Sequence, residues 1–284
     1  WRYGRRISVR KVWKIISNGS QGVRELLKLI ICEFMKTKRK KMFYIAFMTT
    51  FIMPAMYTLI LTDRSLENMM SVIRQENGFL VLIPLSVIVA ANLLFEEQDH
   101  DTLKNLMCVP VTKGHLAAAK IFVLLIFNVC YELAGAAAAV LLTALSGASM
   151  DGLGMQLLLT AGTGILLWAA EMPCLLLVVW CNKSYIISVI IAFAYTMAGY
   201  ITHISDAFVR VPLGPNVATL LPVPMIFRWL YQFISIEDAG ETFRTFYEGF
   251  RPYFVSTPAV FAVLMAEAAI CMLLLTRVYQ KQEI

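Results

Sequence analysis

The sequence has little charge for its length and few side chains that keep a protein surface in water. Only 15% of its 284 residues are charged, whereas 59% are hydrophobic. Soluble globular domains carry about a quarter of their residues as Asp, Glu, Lys or Arg. This composition excludes a soluble globular domain, including a basic nucleic-acid-binding one, and it indicates an integral membrane protein.

The usual motifs of catalysis and metal binding are also missing. No GxxxxGK[ST] phosphate-binding loop occurs, and the apolar segments contain no HExxH, GxSxG or GxGD sequence. The six cysteines have neither metal-site spacing nor the arrangement of a disulfide framework. We therefore predict neither an enzyme nor a metal site. Because the chain has no phosphate loop, any work driven by ATP would require a nucleotide-binding partner.

Six apolar segments approach or exceed the ~20 residues that a helix needs to cross a bilayer. They lie at about 42–61, 79–95, 117–145, 155–181, 185–204 and 257–276. No alternating strand pattern competes with them, and an open sheet would leave backbone groups unpaired in lipid. The predicted fold class is all-α, a polytopic membrane protein with six transmembrane helices.

The basic residues predict the orientation of these helices. Residues 1–41 contain 13 of the 25 Lys and Arg residues, including the run at 36–41 directly before the first span. Basic residues beside short loops stay in the cytosol, so with six spans both termini are expected to be cytoplasmic. All 12 Lys residues then fall on the predicted cytosolic side.

The chain is predicted to consist of two regions. Residues 1–22 are basic, and we interpret them as an interfacial helix or as an extension not native to the protein, but not as a cleavable signal peptide. Residues 23–284 are predicted to form a single six-span transmembrane domain. Its first apolar residues recur at helical spacing, at Leu26, Leu27, Ile30, Ile31, Phe34 and Met35. They predict an interfacial helix, with a cytosolic extension of the first span as the alternative.

The three predicted outer loops differ in length. The first covers about 62–78, the second is the Gly-rich turn at 146–154, and the third covers about 205–256. The third loop contains an apolar stretch that is broken by four prolines, at Pro212, Pro215, Pro222 and Pro224. It is too interrupted to span, so we predict a long last extracellular loop with short re-entrant or surface helices.

The most polar interior stretch, FEEQDHDTLKNLMCVPVTKGHLAAAK at 95–120, follows the second span on the predicted cytosolic side. It resembles the cytosolic signature of permease subunits of type-2 ABC exporters, in which an acidic start leads into Gly-Thr-Leu-Lys-Asn-Leu and a Val-Pro-Val turn. Small six-span permeases of the lantibiotic-immunity and bacitracin-export kind are similar to this chain. Asp101 stands where their pattern has Gly.

The resemblance implies a function, partners and contact residues. The chain would be the permease of an ATP-driven exporter in a bacterial cell membrane, moving an amphiphilic or antimicrobial peptide out of the membrane for self-protection or resistance. ATP and Mg would bind to a separate ATP-binding cassette subunit, with no cofactor on this chain, and a second permease, identical or related, would complete the exporter. The residues implied to contact the ATPase subunit are Glu96, Glu97, Thr102, Leu103, Lys104, Asn105 and Pro110.

Three carboxylic acids, Glu132, Glu171 and Glu267, are predicted near the middle of the third, fourth and last spans. A charged side chain there costs about 2.5–3.5 kcal/mol on insertion scales, and we expect no Lys or Arg within the spans to pair with them. They predict a polar seam that receives a cationic or amphiphilic substrate, or protonated groups that hydrogen-bond between helices. As an alternative function, they fit a proton or cation relay in a secondary transporter or channel.

Overall fold

The protein folds into helices, and several of them, alone or joined end to end, are long enough to cross a membrane. The structure, a computed structural model, describes residues 26–60, 65–99, 113–181, 185–204, 221–234 and 240–281. Within these ranges every regular element is a helix and none is a strand. The all-α fold class predicted from the sequence is confirmed.

The helices are numbered here in chain order. Helix α1 covers 26–37. The helices that follow it are α2 (Lys41–Thr49), α3 (Ile52–Ile60), α4 (Leu66–Val72), α5 (Ile83–Asp99), α6 (Lys113–Ser146), α7 (Leu153–Cys181), α8 (Tyr185–Ile204), α9 (Pro222–Leu230), α10 (Glu241–Phe250) and α11 (Thr257–Lys281). A ten-residue π-helical segment, Ile73–Leu82, joins α4 to α5 without a break.

Within the described residues, six helical stretches have the length and hydropathy of membrane spans, as predicted. They are Lys41–Ile60, Leu66–Phe95, Gly114–Ser146, Leu153–Cys181, Tyr185–Thr202 and Thr257–Gln280. Five of them agree with the predicted segments within a few residues. Between α6 and α7, Gly147 and Gly152 both have a φ of 72°, a conformation that glycine adopts without strain, so the predicted Gly-rich turn is present.

The second span begins much earlier than predicted, and most of the expected outer loop at 62–78 is helix. Ser65 caps α4 by accepting a hydrogen bond from the Asn68 backbone N–H at 3.4 Å. Leu66, Met69 and Ile73 follow at helical spacing and are buried. Hydropathy missed this start because the polar run at 74–77 follows immediately, and polar residues in lipid-depth helices are tolerated only where other helices cover them.

Helix α1 is separate from the first span, because residues 38–40 form a turn before α2 begins. Leu27, Ile31 and Met35 lie four residues apart and are 49–63% exposed. Glu33, on a different face, is 4% exposed. An exposed apolar stripe of this kind is what an interfacial helix requires, and the position of α1 at a membrane surface stays a prediction.

Helix α9 lies inside the bundle, where it packs against α7, α8 and α11. All residues from Val223 to Leu230 are buried. The Phe227 ring stacks on Phe79 of the π-helical segment, with ring centroids 4.1 Å apart. Short helices are therefore present between the fifth and sixth spans, as predicted, and α9 enters the bundle instead of lying on its surface.

Helix α7 is the centre of the bundle, with its most extensive contacts to α6 and α11. Leu166, Leu167 and Leu175 on this helix are completely buried. The first, fifth and sixth spans, by contrast, expose large apolar side chains such as Leu59 and Ile186. Spans with one apolar face turned outward are suited to lipid or to a second membrane subunit.

The crossing of α6 and α7 depends on Gly164, and replacing it should destabilise the fold. A Cβ at this position would lie 3.0 Å from the Val129 Cα and 3.3 Å from the Asn128 carbonyl oxygen, which are backbone atoms that cannot move aside. We expect Gly164→Ala to lower the free energy of unfolding by about 1–3 kcal/mol, measured by thermal unfolding in detergent. Gly154→Ala is the control on the same helix, since a Cβ there would have no neighbouring atom within 4 Å. Equal stability of the two variants would contradict the close crossing.

Candidate functional site

A buried polar group links α5, α6 and α7 in the interior of the bundle. The Asn128 side-chain amide donates hydrogen bonds to Ser86 Oγ at 2.9 Å and to Glu171 Oε1 at 3.0 Å. All three side chains have no exposed surface. In lipid such groups have to be satisfied by protein. The Asn128 amide satisfies Glu171 Oε1 in this way, whereas Glu171 Oε2 and Asn128 Oδ1 have no hydrogen-bond partner among the described residues.

Glu132 lies one helical turn beyond Asn128 on α6 and is fully buried. In the part of the chain that the structure describes, neither of its carboxyl oxygens has a hydrogen-bond partner. A Cβ on Gly78 would lie 2.9 Å from Glu132 Oε1, so the carboxyl group faces the π-helical segment. The absence of a Gly78 side chain leaves room for it there.

A basic residue lies near Glu132, contrary to our expectation that the spans contain no Lys or Arg. Arg74, 5% exposed, is part of the second span, and its positive charge acts on the Glu132 carboxyl. Its guanidinium donates a hydrogen bond to Gln156 Oε1 at 2.7 Å. Sequence reasoning missed Arg74 because it assigned residues 62–78 to a loop.

A second buried polar group connects the first span to the π-helical segment and α6. The Asn77 amide donates to Thr50 Oγ1 at 2.9 Å, and the Tyr131 hydroxyl donates to Asn77 Oδ1 at 3.3 Å. The Tyr131 hydroxyl is also 2.9 Å from Thr49 Oγ1. These hydrogen bonds explain how the Asn77 side chain can be buried within a membrane span. We define Thr50, Arg74, Asn77, Asn128, Tyr131, Glu132 and Glu171 as the polar network.

The third predicted seam residue, Glu267, lies apart from the other two. It is half-buried on α11, and no hydrogen bond within the described residues joins it to Glu132 or Glu171. Its charge acts on Tyr195, which donates a hydrogen bond to the Ala170 carbonyl at 2.5 Å. The structure thus brings Glu132 and Glu171 into the polar network and leaves Glu267 outside it.

The predicted ATPase-contact residues lie at and beyond the end of α5. Glu96 and Glu97 are in the last turns of α5, which ends at Asp99. The other five predicted residues, Thr102, Leu103, Lys104, Asn105 and Pro110, lie outside the described residues. In the chain they fall between the end of α5 and the start of α6.

The end of α5 that leads into this stretch is tied to two other spans. Lys120 of α6, 3% exposed, donates to the Leu93 carbonyl at 2.5 Å, and the Tyr279 hydroxyl of α11 donates to the Leu94 carbonyl at 3.2 Å. Lys120, which already lies within the predicted third span near its cytosolic end, is a second basic residue inside a span. A displacement of this end of α5 would therefore act on α6 and α11 directly.

The comparisons with known proteins point to transport. The family model described as "ABC-2 family transporter protein" matches residues 29–199. These are 171 of the 284 residues, and they include the first four spans and most of the fifth. No curated protein matches the chain.

The hydrogen bond between Asn128 and Glu171 should contribute to stability only when residue 171 offers an acceptor. We expect Glu171→Gln to retain it and Glu171→Leu to lose it, at a cost of about 1 kcal/mol in the free energy of unfolding, measured by thermal unfolding in lipid nanodiscs. Glu267→Leu is the comparison variant, since Glu267 is only half-buried and should tolerate the change. If the Leu and Gln variants at 171 were equally stable, the network would not hold α6 to α7.

Proposed function

Since the chain belongs to the ABC-2 family of transporter proteins and is a membrane-spanning permease of an ABC transporter, we propose that it exports an amphiphilic peptide of the antimicrobial type. The export would move the peptide out of the membrane and protect the cell that makes or meets it. The cell would be bacterial, and both termini would be in its cytoplasm. The transport work is done by this multi-pass subunit, and nucleotide chemistry is assigned to its partner.

The observation that carries this proposal is the polar network at membrane depth. Glu132 and Glu171 are fully buried within the bundle, and Glu132 has no hydrogen-bond partner among the described residues. Ionisable residues within spans are costly and mark substrate or ion pathways. A cationic, amphiphilic peptide offers both an apolar surface for the helices and amino groups for these carboxyl groups.

Energy reaches the permease from an ATP-binding cassette subunit, the partner that membership of the ABC-2 family implies. We assign ATP and Mg to that subunit and the contact with it to the stretch from Glu96 to Pro110. Glu97, Thr102, Leu103 and Lys104 would meet the ATPase. Movement of this stretch would pass into the bundle through α5, whose end is held by Lys120 and Tyr279.

A second permease, identical or related, completes the proposed exporter. The first span exposes Ile45, Met48 and Leu59, and the fifth exposes Ile186 and others of its apolar residues. Helices in lipid associate through close packing of such faces. A pathway between two permeases would then include the inner faces of both bundles.

The alternative function, a secondary transporter or channel, would use the same carboxyl groups as a proton or cation relay. It would require no ATPase. Family membership favours the ATP-driven exporter, because ABC-2 proteins are permeases of ABC transporters. Ion-driven flux through the purified chain without any ATPase would favour the alternative.

Neutralising the buried carboxyl groups tests the proposed cargo path. In cells that carry the permease and its ATPase, we expect Glu132→Gln and Glu171→Gln each to lower resistance to bacitracin or to a cationic lantibiotic several-fold, because the peptide's amino groups lose a partner. Glu267→Gln should have a smaller effect. Minimal inhibitory concentrations are the readout, with immunoblots to show equal amounts of protein. Unchanged resistance in the three single variants and in the triple variant would refute the seam.

Reversing one charge at the end of α5 tests the coupling. We expect Glu97→Lys to abolish co-purification with the ATPase subunit and its permease-dependent ATP hydrolysis, since an acidic contact would become repulsive. Glu248→Lys makes the same change on an exposed position of α10, at the opposite end of the bundle, and should leave both measurements unchanged. Normal binding by the Glu97 variant would remove this residue from the interface.

A further inference from the structure

An open pocket lies between the first and second spans, away from the polar network. Its volume is about 290 Å³. It opens at the end of the bundle opposite the C-terminal end of α5, close to where α3 ends and α4 begins. The residues that line it are Tyr57, Asn68, Ser71, Val72, Gln75 and Glu76. In the orientation proposed above, this is the outer end.

Glu76 supplies the only acidic side chain among the described residues that line the pocket. It is half-buried in the π-helical segment. Within the described ranges, its carboxyl group makes neither a hydrogen bond nor an ion pair. Taking a carboxylate partly out of water without a partner is unfavourable, so the position suits a group that arrives with a bound molecule.

One tyrosine, Tyr57 of α3, lines the pocket together with Glu76. The charge of the Glu76 carboxyl group acts on Tyr57 and also on Tyr200 of α8 and on Tyr231, which follows α9. Burial raises the pKa of Tyr231, and the neighbouring Tyr200 and Glu76 raise it further. The Tyr231 ring is held edge-on against Phe250 of α10, with centroids 5.1 Å apart. Among the described residues that line the pocket, Tyr57 is therefore the aromatic group that accompanies Glu76.

A carboxylate and a tyrosine ring that line the same pocket can together recognise an organic cation. The ring attracts an ammonium or guanidinium group through its face, and the carboxylate supplies the opposite charge. The amide and hydroxyl groups of Asn68, Ser71 and Gln75 accept hydrogen bonds from a primary amine. A neutral or anionic headgroup gains none of the charge interaction.

We propose that this pocket binds the cationic group of the exported amphiphile, an alkylammonium or guanidinium, on the side of the permease opposite the ATPase. The inference rests on the proposed function and adds to it the chemical class of the cargo group and a second place of contact. The cargo's apolar part would lie along the exposed face of α3, where Met56 and Leu59 are 48% and 85% exposed. Glu76 would hold the charge while the apolar part remains in the outer half of the membrane.

Equilibrium binding to the purified full chain tests the pocket without ATP. The protein is placed in nanodiscs of an uncharged glycolipid, and the probes are radiolabelled dodecylammonium and its neutral counterpart dodecanol, with empty nanodiscs subtracted. We expect dodecylammonium to bind saturably and at least about tenfold more tightly than dodecanol. Glu76→Gln should remove this difference and leave dodecanol binding unchanged. Glu248→Gln, an exposed acid at the same end of the bundle, should behave as the unmodified protein.

A second pair of variants keeps the test open if Glu76→Gln does not fold. Tyr57→Phe retains a ring in the pocket lining and should retain binding of dodecylammonium, whereas Tyr57→Leu should weaken it several-fold. The proposal is overturned if the unmodified protein does not prefer the cation, if Glu76→Gln or Tyr57→Leu binds it unchanged, or if phosphatidylethanolamine added to the nanodiscs displaces it. Displacement by the lipid would identify a headgroup site in place of a cargo site.

The two proposals fail separately. Glu76-dependent binding of dodecylammonium by a permease that confers no peptide resistance would refute the peptide cargo and leave the cation site in place. Peptide resistance that persists in full in the Glu76→Gln variant would refute the site and leave the exporter in place.

Discussion

Polar side chains at membrane depth need partners on other helices, because lipid provides none, and this requirement organises the bundle. The second span carries Arg74 and Asn77 into the interior, where they bond to Gln156 and Thr50. These contacts join the second span to α7 and to the first span. Gly78 then lets the π-helical segment approach Glu132. One short polar run thereby determines which faces of four spans meet.

The same continuous span connects the two ends of the molecule. Its π-helical segment lies against the polar network, and its other end leads into the proposed ATPase contact, where Lys120 and Tyr279 hold its carbonyl groups. π-helical turns within α-helices are rare and frequently occur at functional sites. In the proposed exporter, a push on the end of α5 would move α6 and α11 with it and alter the packing around Glu132.

For the three acids in the spans, the sequence predicted the depth but not the helix face. Counting along the apolar segments predicted the depth of Glu132, Glu171 and Glu267, but it could not show which neighbouring helix each of them meets. Glu171 is in the polar network through Asn128, whereas Glu267 is half-buried on α11 and lies outside that network. Glu76 escaped notice because it was assigned to a loop, although the apolar spacing from Leu66 to Ile73 is a helical signal that could have found it.

Apolar length and a local motif are properties of contiguous residues, so the class of protein, the all-α fold, the six spans and the resemblance to ABC exporter permeases could be predicted from the sequence. The start of the second span, the burial of α9, the placement of Arg74 within a span and the meeting of Asn128 with Glu171 became known only from the folded chain. Each of these depends on which helix faces cover one another. In the sequence, the polar run at 74–77 predicts a loop. The folded chain shows that other helices supply hydrogen-bond partners for the side chains of Arg74 and Asn77.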